Sequence, residues 1–194
     1  MRSLVPLLAM GVLAGCAAMP EASLQTRAPF VSALQNELFQ LAGRVGVKYD
    51  DQGFSGNMRW QHRAQSDEIL ILSPLGQGVA QIVQDSTGVS LTTSDQKIYH
   101  AQDAETLTDE ILGWRLPLAG LRYWVVGRAA PGNAEMEHDQ AGRVSRLKQD
   151  GWQIDYLSYR ETNGVTLPQK LIMQRGNLEM KLIIDSWDSA QTDM

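Results

Sequence analysis

From Gly43 onward the apolar positions of the chain recur with period two. Gly43, Val45, Val47 and Tyr49 share one side of a strand, while Arg44 and Lys48 take the other. Asp50-Asp51-Gln52-Gly53 then supplies turn chemistry. The next strand sets Gly56, Met58, Trp60 and His62 against Ser55, Asn57, Arg59, Gln61 and Arg63, so the two read as an antiparallel hairpin with a single apolar face. Short strands continue at Ile69 to Leu72, Val79 to Gln84, Val89 to Thr93 and Ile98 to Ala101, parted by Gly, Asp or Ser turns. Asp103 to Trp114 changes to helical spacing through Leu107, Ile111 and Leu112, with Asp103 as its N-cap. A second helical piece is expected over Leu118 to Val126, and Ala129 to Gln140 reads as a loop. Strands resume at Val144 to Lys148, Trp152 to Tyr159, Gln169 to Arg175 and Leu178 to Trp187, the last two joined at Gly176-Asn177. Ahead of all these, Phe30, Leu34, Leu38 and Leu41 recur at spacings of four and three, which predicts a helix opening at Thr26 to Pro29.

The pattern predicts a mainly β fold: a single curled antiparallel sheet of ten or eleven strands, a half-barrel, with helices lidding an apolar concavity. Such a concavity is the usual form of a lipid or small-molecule site. The same periodicity fits a concavity that the helices simply fill as a core.

The first residues change this picture. Arg2 precedes a short apolar run, Leu4 to Val12, too short to span a bilayer and fitting a signal-peptide core. It ends in Leu13-Ala14-Gly15-Cys16, which has the form of a bacterial lipobox, and Cys16 is the single cysteine of the chain. Cys16 is therefore the expected site of lipid attachment, and a domain without disulfides needs a substantial core. Ala17 to Arg27 is small, polar and proline-containing, as a tether would be. The expected organisation is a lipoprotein signal peptide over 1–15, a lipidated anchor and tether over 16–27, and the half-barrel domain over 28–194.

The 194 residues make one well-filled domain. A net charge of −5, with basic residues scattered, argues against a nucleic-acid partner. Five Trp and eight Met suit a cavity for ligands of variable shape, although core filling is their commoner use. No catalytic constellation emerges. His62, His100 and His138 are far apart and lack metal-site spacing. Gly53-Phe54-Ser55-Gly56 falls on a hairpin rather than a strand-to-helix elbow, and Asp109-Glu110 point different ways on a helix. Met58, Trp60, Met173 and Met180 suit a core or cavity lining better than a redox stripe. A non-enzyme without cofactor or metal is expected.

Several stretches resemble the LolB family of outer-membrane lipoproteins. Met58-Arg59-Trp60-Gln61 is similar to that family's second strand, Leu72-Ser73-Pro74-Leu75-Gly76 to its Pro-Leu-Gly hairpin, and Ile183-Ile184-Asp185-Ser186-Trp187 to its last strand. The most specific match is Pro117-Leu118-Ala119-Gly120-Leu121-Arg122-Tyr123-Trp124, followed by Val125-Val126-Gly127, which resembles the lid helix. The resemblance implies a monomeric receptor on the periplasmic face of the outer membrane. Ala17 rather than Asp after the cysteine, by resemblance to enterobacterial lipoproteins, favours that membrane. Such a receptor accepts lipoproteins from a soluble LolA-like periplasmic carrier, holds their acyl chains in a hydrophobic cavity and inserts them into the membrane without making or breaking a bond. Candidate cavity residues on the one-sided strands and lid are Met58, Trp60, Leu70, Leu72, Ile82, Leu116, Leu121, Trp124, Ile154, Tyr156, Met173, Met180 and Leu182. Leu75, a large aliphatic at a turn between Pro74 and Gly76, is implied to serve membrane insertion of cargo. The other reading is an accessory outer-membrane lipoprotein, not catalytic, whose half-barrel docks a protein partner.

Overall fold

The computed structural model describes residues 38–188. Cys16 with its leader and tether, most of the first expected helix, and the tail after Asp188 lie outside the described residues. Chain order is β1 (Phe39–Tyr49), β2 (Gln52–Arg63), β3 (Ser66–Leu72), β4 (Gly78–Asp85), β5 (Gly88–Thr93), β6 (Ile98–Ala101), α1 (Ala104–Leu112), α2 (Leu118–Trp124), β7 (Glu135–His138), β8 (Val144–Gln149), β9 (Trp152–Thr162), β10 (Val165–Arg175) and β11 (Leu178–Asp188). All eleven strands form one antiparallel sheet in the order β6-β5-β4-β3-β2-β1-β11-β10-β9-β8-β7. The meander breaks only where the two helices intervene, and β1 against β11 closes the two halves into one surface.

The alternation begins earlier than expected. Leu41, placed by its spacing on the first helix, is the third residue of β1, where it pairs with Trp60 on one side and Trp187 on the other. Phe39 and Leu41 continue inward the series Gly43, Val45 and Val47, so burial against two tryptophans overrides a helical reading. A bulge between Ala42 and Gly43 accommodates the close approach of β11, since a Cβ at Gly43 would collide with the Ile183 carbonyl oxygen. One strand beyond the ten segments read from the alternation, β7, falls inside the expected loop. Its Glu-Met-Glu-His sequence is exposed throughout and forms a free edge.

The sheet must curl, because a short helix touches both of its arms. On one arm, an Arg122 Nη atom of α2 lies 3.7 Å from Asp67 Oδ2 of β3. On the other arm, Trp124 Nε1 donates to Gln149 Oε1 of β8 at 3.0 Å. Strands β3 and β8 are six spacings apart in the sheet, roughly 29 Å if it were flat. The seven residues of α2 are only about 10 Å long. Curling brings the inner faces of all strands from β1 to β5 and β8 to β11 into one apolar cluster with α1 and α2.

Candidate functional site

The concave face is built by strict alternation. On β2, Gly56, Met58, Trp60 and His62 are buried while Ser55 and Arg59 are exposed. Ile82 of β4, Ile154 and Tyr156 of β9, Met173 of β10, and Met180 and Leu182 of β11 join Met58 and Trp60 on this face. Leu121 and Trp124 of α2, and Leu116 of the α1–α2 connection, close over it. None of these eleven expected cavity residues is more than 7% exposed. The helices therefore fill the concavity, and the interior is closed in this structure. A small cavity of about 120 Å³ lies at one end, where Leu112, Gly113 and Trp114 meet Val47, Tyr49 and Phe54 of the β1–β2 hairpin.

Two expected lining residues face the other way. Leu70 and Leu72 are half-buried on the outer surface, and their neighbours Ile69 and Ile71 are the inward residues of β3. A four-residue apolar run hides its phase, but the two-residue turn at Ala64-Gln65 fixes it. Arg63 pairs with Ser66, so Trp60 stands opposite Ile69 and Met58 opposite Ile71. Phe39, Leu91, Leu107, Trp152 and Trp187 also belong to the interior, beyond the expected lining residues. For the strand residues the signal is the same alternation, and for Leu107 it is the helical spacing of α1.

Both helices are placed by local chemistry. Asp103 caps α1 by accepting from Thr106 N at 2.8 Å, and Gly113 ends it in the left-handed region at φ 76°. Buried Thr108 donates to Ala104 O at 2.7 Å and accepts from Leu116 N at 2.9 Å, which fixes the link between the helices. Gly120 leaves room for the Trp124 indole, because a Cβ there would strike the ring. On the β8–β9 side the seat of α2 is neutral. Gln149 Oε1 accepts from Trp124 Nε1 at 3.0 Å and from Ala130 N at 2.9 Å, and its Nε2 donates to Ala130 O at 2.8 Å. The Tyr156 hydroxyl donates to Trp124 O at 2.8 Å, and burial pushes its ionisation well above the ordinary tyrosine range.

On the β3 side the seat is charged. Asp67 is 2% exposed, and its Oδ1 accepts from Trp60 Nε1 at 2.8 Å and pairs with His62 Nδ1 at 2.7 Å. Its Oδ2 faces the Arg122 guanidinium. His62 is thus a buried orienting group, while His100 and His138 are exposed on separate strands.

Leu75 is 89% exposed at the tip between β3 and β4. Its loop is rigidly made: Gly76 N donates to Ser73 O at 2.9 Å, Ser73 N to Gln77 O at 2.7 Å, and Gln77 N to Ser73 Oγ at 3.2 Å. Gly76, at φ 82°, takes the left-handed position that lets Pro74-Leu75 form the corner.

The model of the family described as outer membrane lipoprotein LolB matches residues 37–187. Among curated relatives, the outer-membrane lipoprotein LolB of Nitrosomonas europaea is 47% identical over 157 residues, 79% of this chain and 74% of its own length. That of Thiobacillus denitrificans is 42% identical and covers 92% of both chains, and that of Pseudomonas aeruginosa is 34% identical over 94% of both. The fold extends further than the sequence does. A LolA superfamily protein from Nitrosomonas europaea shares it with a TM-score of 0.52 at 9% identity, covering 84% of this chain and 94% of the other. A putative outer membrane lipoprotein-sorting protein domain from Vibrio parahaemolyticus shares it at 0.54 and 9% identity, over 89% and 94%. With the family match running from just ahead of β1 through the lid helix to Trp187 in the last strand, the chain belongs to the LolB family of outer-membrane lipoproteins.

Proposed function

We propose that this domain accepts lipoproteins from a soluble periplasmic carrier of the LolA type, shelters their acyl chains against the concave face, and passes them into the outer membrane. A lipid on Cys16 holds it at the periplasmic face. The observation that carries the reading is a continuous apolar concave face roofed by a seven-residue helix with polar fastenings at its two sides. An ordinary core does not need a roof so short and so separately fastened.

Because the roof's own side chains occupy the interior, acceptance is an exchange. α2 withdraws Leu118, Leu121 and Trp124, together with Val125 that caps it, and acyl chains take their place. Apolar surface replaces apolar surface, so the net driving force is small and the cargo stays releasable. Transfer then runs downhill only if a bilayer holds the chains more favourably than the half-barrel does. No bond is made or broken in this sequence of steps. Leu75, held out on its rigid hairpin, is the group that touches the bilayer at delivery.

The test supplies carrier-bound lipoprotein to the chain carrying Cys16→Ala, which bears no lipid of its own. Lipoprotein should leave the carrier and co-purify with the chain. Retention on the carrier, together with no saturable uptake of a fluorescent fatty acid, would sink the reading.

A further inference from the structure

Arg122 stands between the solvent and the closed interior. Its side chain is 25% exposed, and it lies in the last turn of α2 between the inward-facing Leu121 and Trp124. Asp67 Oδ2, at 3.7 Å, is too far for a hydrogen bond, and the guanidinium makes none within the described residues. Its Nε is buried without an acceptor. A desolvated donor left open is uncommon in a folded interior, and arginine brings five donors in a fixed fork. On the opposite seat of α2, Gln149 and Tyr156 spend their polar atoms on named partners, and the donor left open there is the single indole Nε1 of Trp152 beside Trp124, not a guanidinium fork. Trp60 and His62 both hold Asp67 by its Oδ1, which sets the carboxylate with Oδ2 beyond hydrogen-bond distance of Arg122.

We infer that Arg122 is a polar subsite for the carbonyl groups through which the acyl chains of the cargo are attached. The inference rests on the receptor reading above and adds a ligand group to it. A lipidated cysteine carries two chains as glyceryl esters and one as an amide. The chains belong inside the half-barrel and the peptide outside, so the carbonyls lie at the boundary that Arg122 occupies. They are acceptors without charge, and a guanidinium can bind them without releasing a counterion or a proton. Acyl chains alone have no use for this side chain. Arg122 therefore distinguishes an acylated cysteine from a bare hydrocarbon.

The experiment titrates the chain carrying Cys16→Ala with a synthetic triacylated lipopeptide, and with an analogue whose two ester links are replaced by ethers. Intrinsic tryptophan fluorescence, to which the buried Trp60 and Trp124 contribute, reports occupancy of the interior. Arg122→Gln should weaken the ester lipopeptide about tenfold or more, as expected for loss of hydrogen bonds from a charged donor, and the ether analogue less than about twofold. Because Arg122→Gln leaves Asp67 facing a neutral group, the same ratio is read in the pair Arg122→Gln with Asp67→Asn, and circular dichroism identifies the folded variant. Equal weakening of both ligands would make Arg122 a support of the lid and overturn the inference, as would no weakening of either. Wild-type chain that binds neither lipopeptide would instead defeat the receptor reading itself.

Discussion

Leu121 and Leu75 are the same side chain under opposite conditions. Leu121 is 1% exposed beneath the lid, packed with Trp124 against the concave face, whereas Leu75 is 89% exposed on a hairpin tip. Burial of either is worth about 1.5–3 kcal/mol. For Leu121 the fold already collects that free energy. For Leu75 it does not, although the backbone holding the residue is closed by three hydrogen bonds within residues 73–77. An apolar group fixed in water by a rigid turn is available to another apolar phase. The interior is apolar because it folds, and the tip is apolar in spite of folding.

The strongest way to break the comparison is in the interior. Trp124→Ala should cost about 3–5 kcal/mol in urea denaturation, because the site cannot collapse around a lost indole that fills the middle of the half-barrel. A loss below about 1 kcal/mol would mean that the lid contributes little to the folded state. On β3 a paired test follows from the corrected phase. Ile71→Ala should cost about 2–4 kcal/mol, whereas Leu70→Ala, on the outer face, should cost about 1 kcal/mol or less. Equal losses would contradict the register in which Met58 opposes Ile71.

That pair also shows how far the sequence could be read. Where polar and apolar residues alternate cleanly, as in Gly56-Asn57-Met58-Arg59-Trp60, the inward face follows directly. Where four apolar residues run together, both faces look alike, and only the turn length upstream sets the phase. The edge strand Glu135–His138 left no trace because none of its residues is buried. Leu41 misled because spacings of three and four recur by chance where a helix is expected next to a strand. The buried polar seat of α2 was hardest to foresee. It joins Trp60, His62 and Asp67 to Arg122, residues that only the curl of the sheet brings together.

A smaller effect sharpens the contrast between the two seats of the lid. Tyr156→Phe removes the donor to the Trp124 carbonyl and should cost about 1 kcal/mol, with the interior otherwise unchanged. Alkaline pH reaches the same wall through Tyr159, whose hydroxyl donates to Val144 O at 2.6 Å and which burial holds up at about 12 against an ordinary 10.0. The folded state binds this proton more tightly than the unfolded state. Its contribution is therefore complete below pH 10 and is lost as the pH rises through about 12. Tyr159→Phe should flatten the alkaline limb of a stability profile, and an unchanged limb would assign that loss to other groups.

The smallest effect on stability belongs to Leu75→Glu, at less than about 0.5 kcal/mol, since no packing is removed. Its effect on delivery should be large. The described chain enters at Leu38 and begins β1 at Phe39, which pairs with His62 beside the Ala64-Gln65 turn, so the chain enters the sheet at the end opposite to Leu75. Cys16 and Phe39 are separated by enough residues to span roughly 75 Å when extended, against about 24 Å for the seven residues of β3. On the proposed reading, a lipid on Cys16 and the tip can therefore meet one bilayer while the half-barrel lies between them. A single leucine is too weak to hold the protein there, but it suffices for a reversible touch at release. In a reconstituted assay, Leu75→Glu should take lipoprotein from the carrier at the wild-type level and deliver little of it to outer-membrane vesicles. If acceptance falls together with delivery, Leu75 belongs with Leu121 as a packing residue and the contrast between them dissolves.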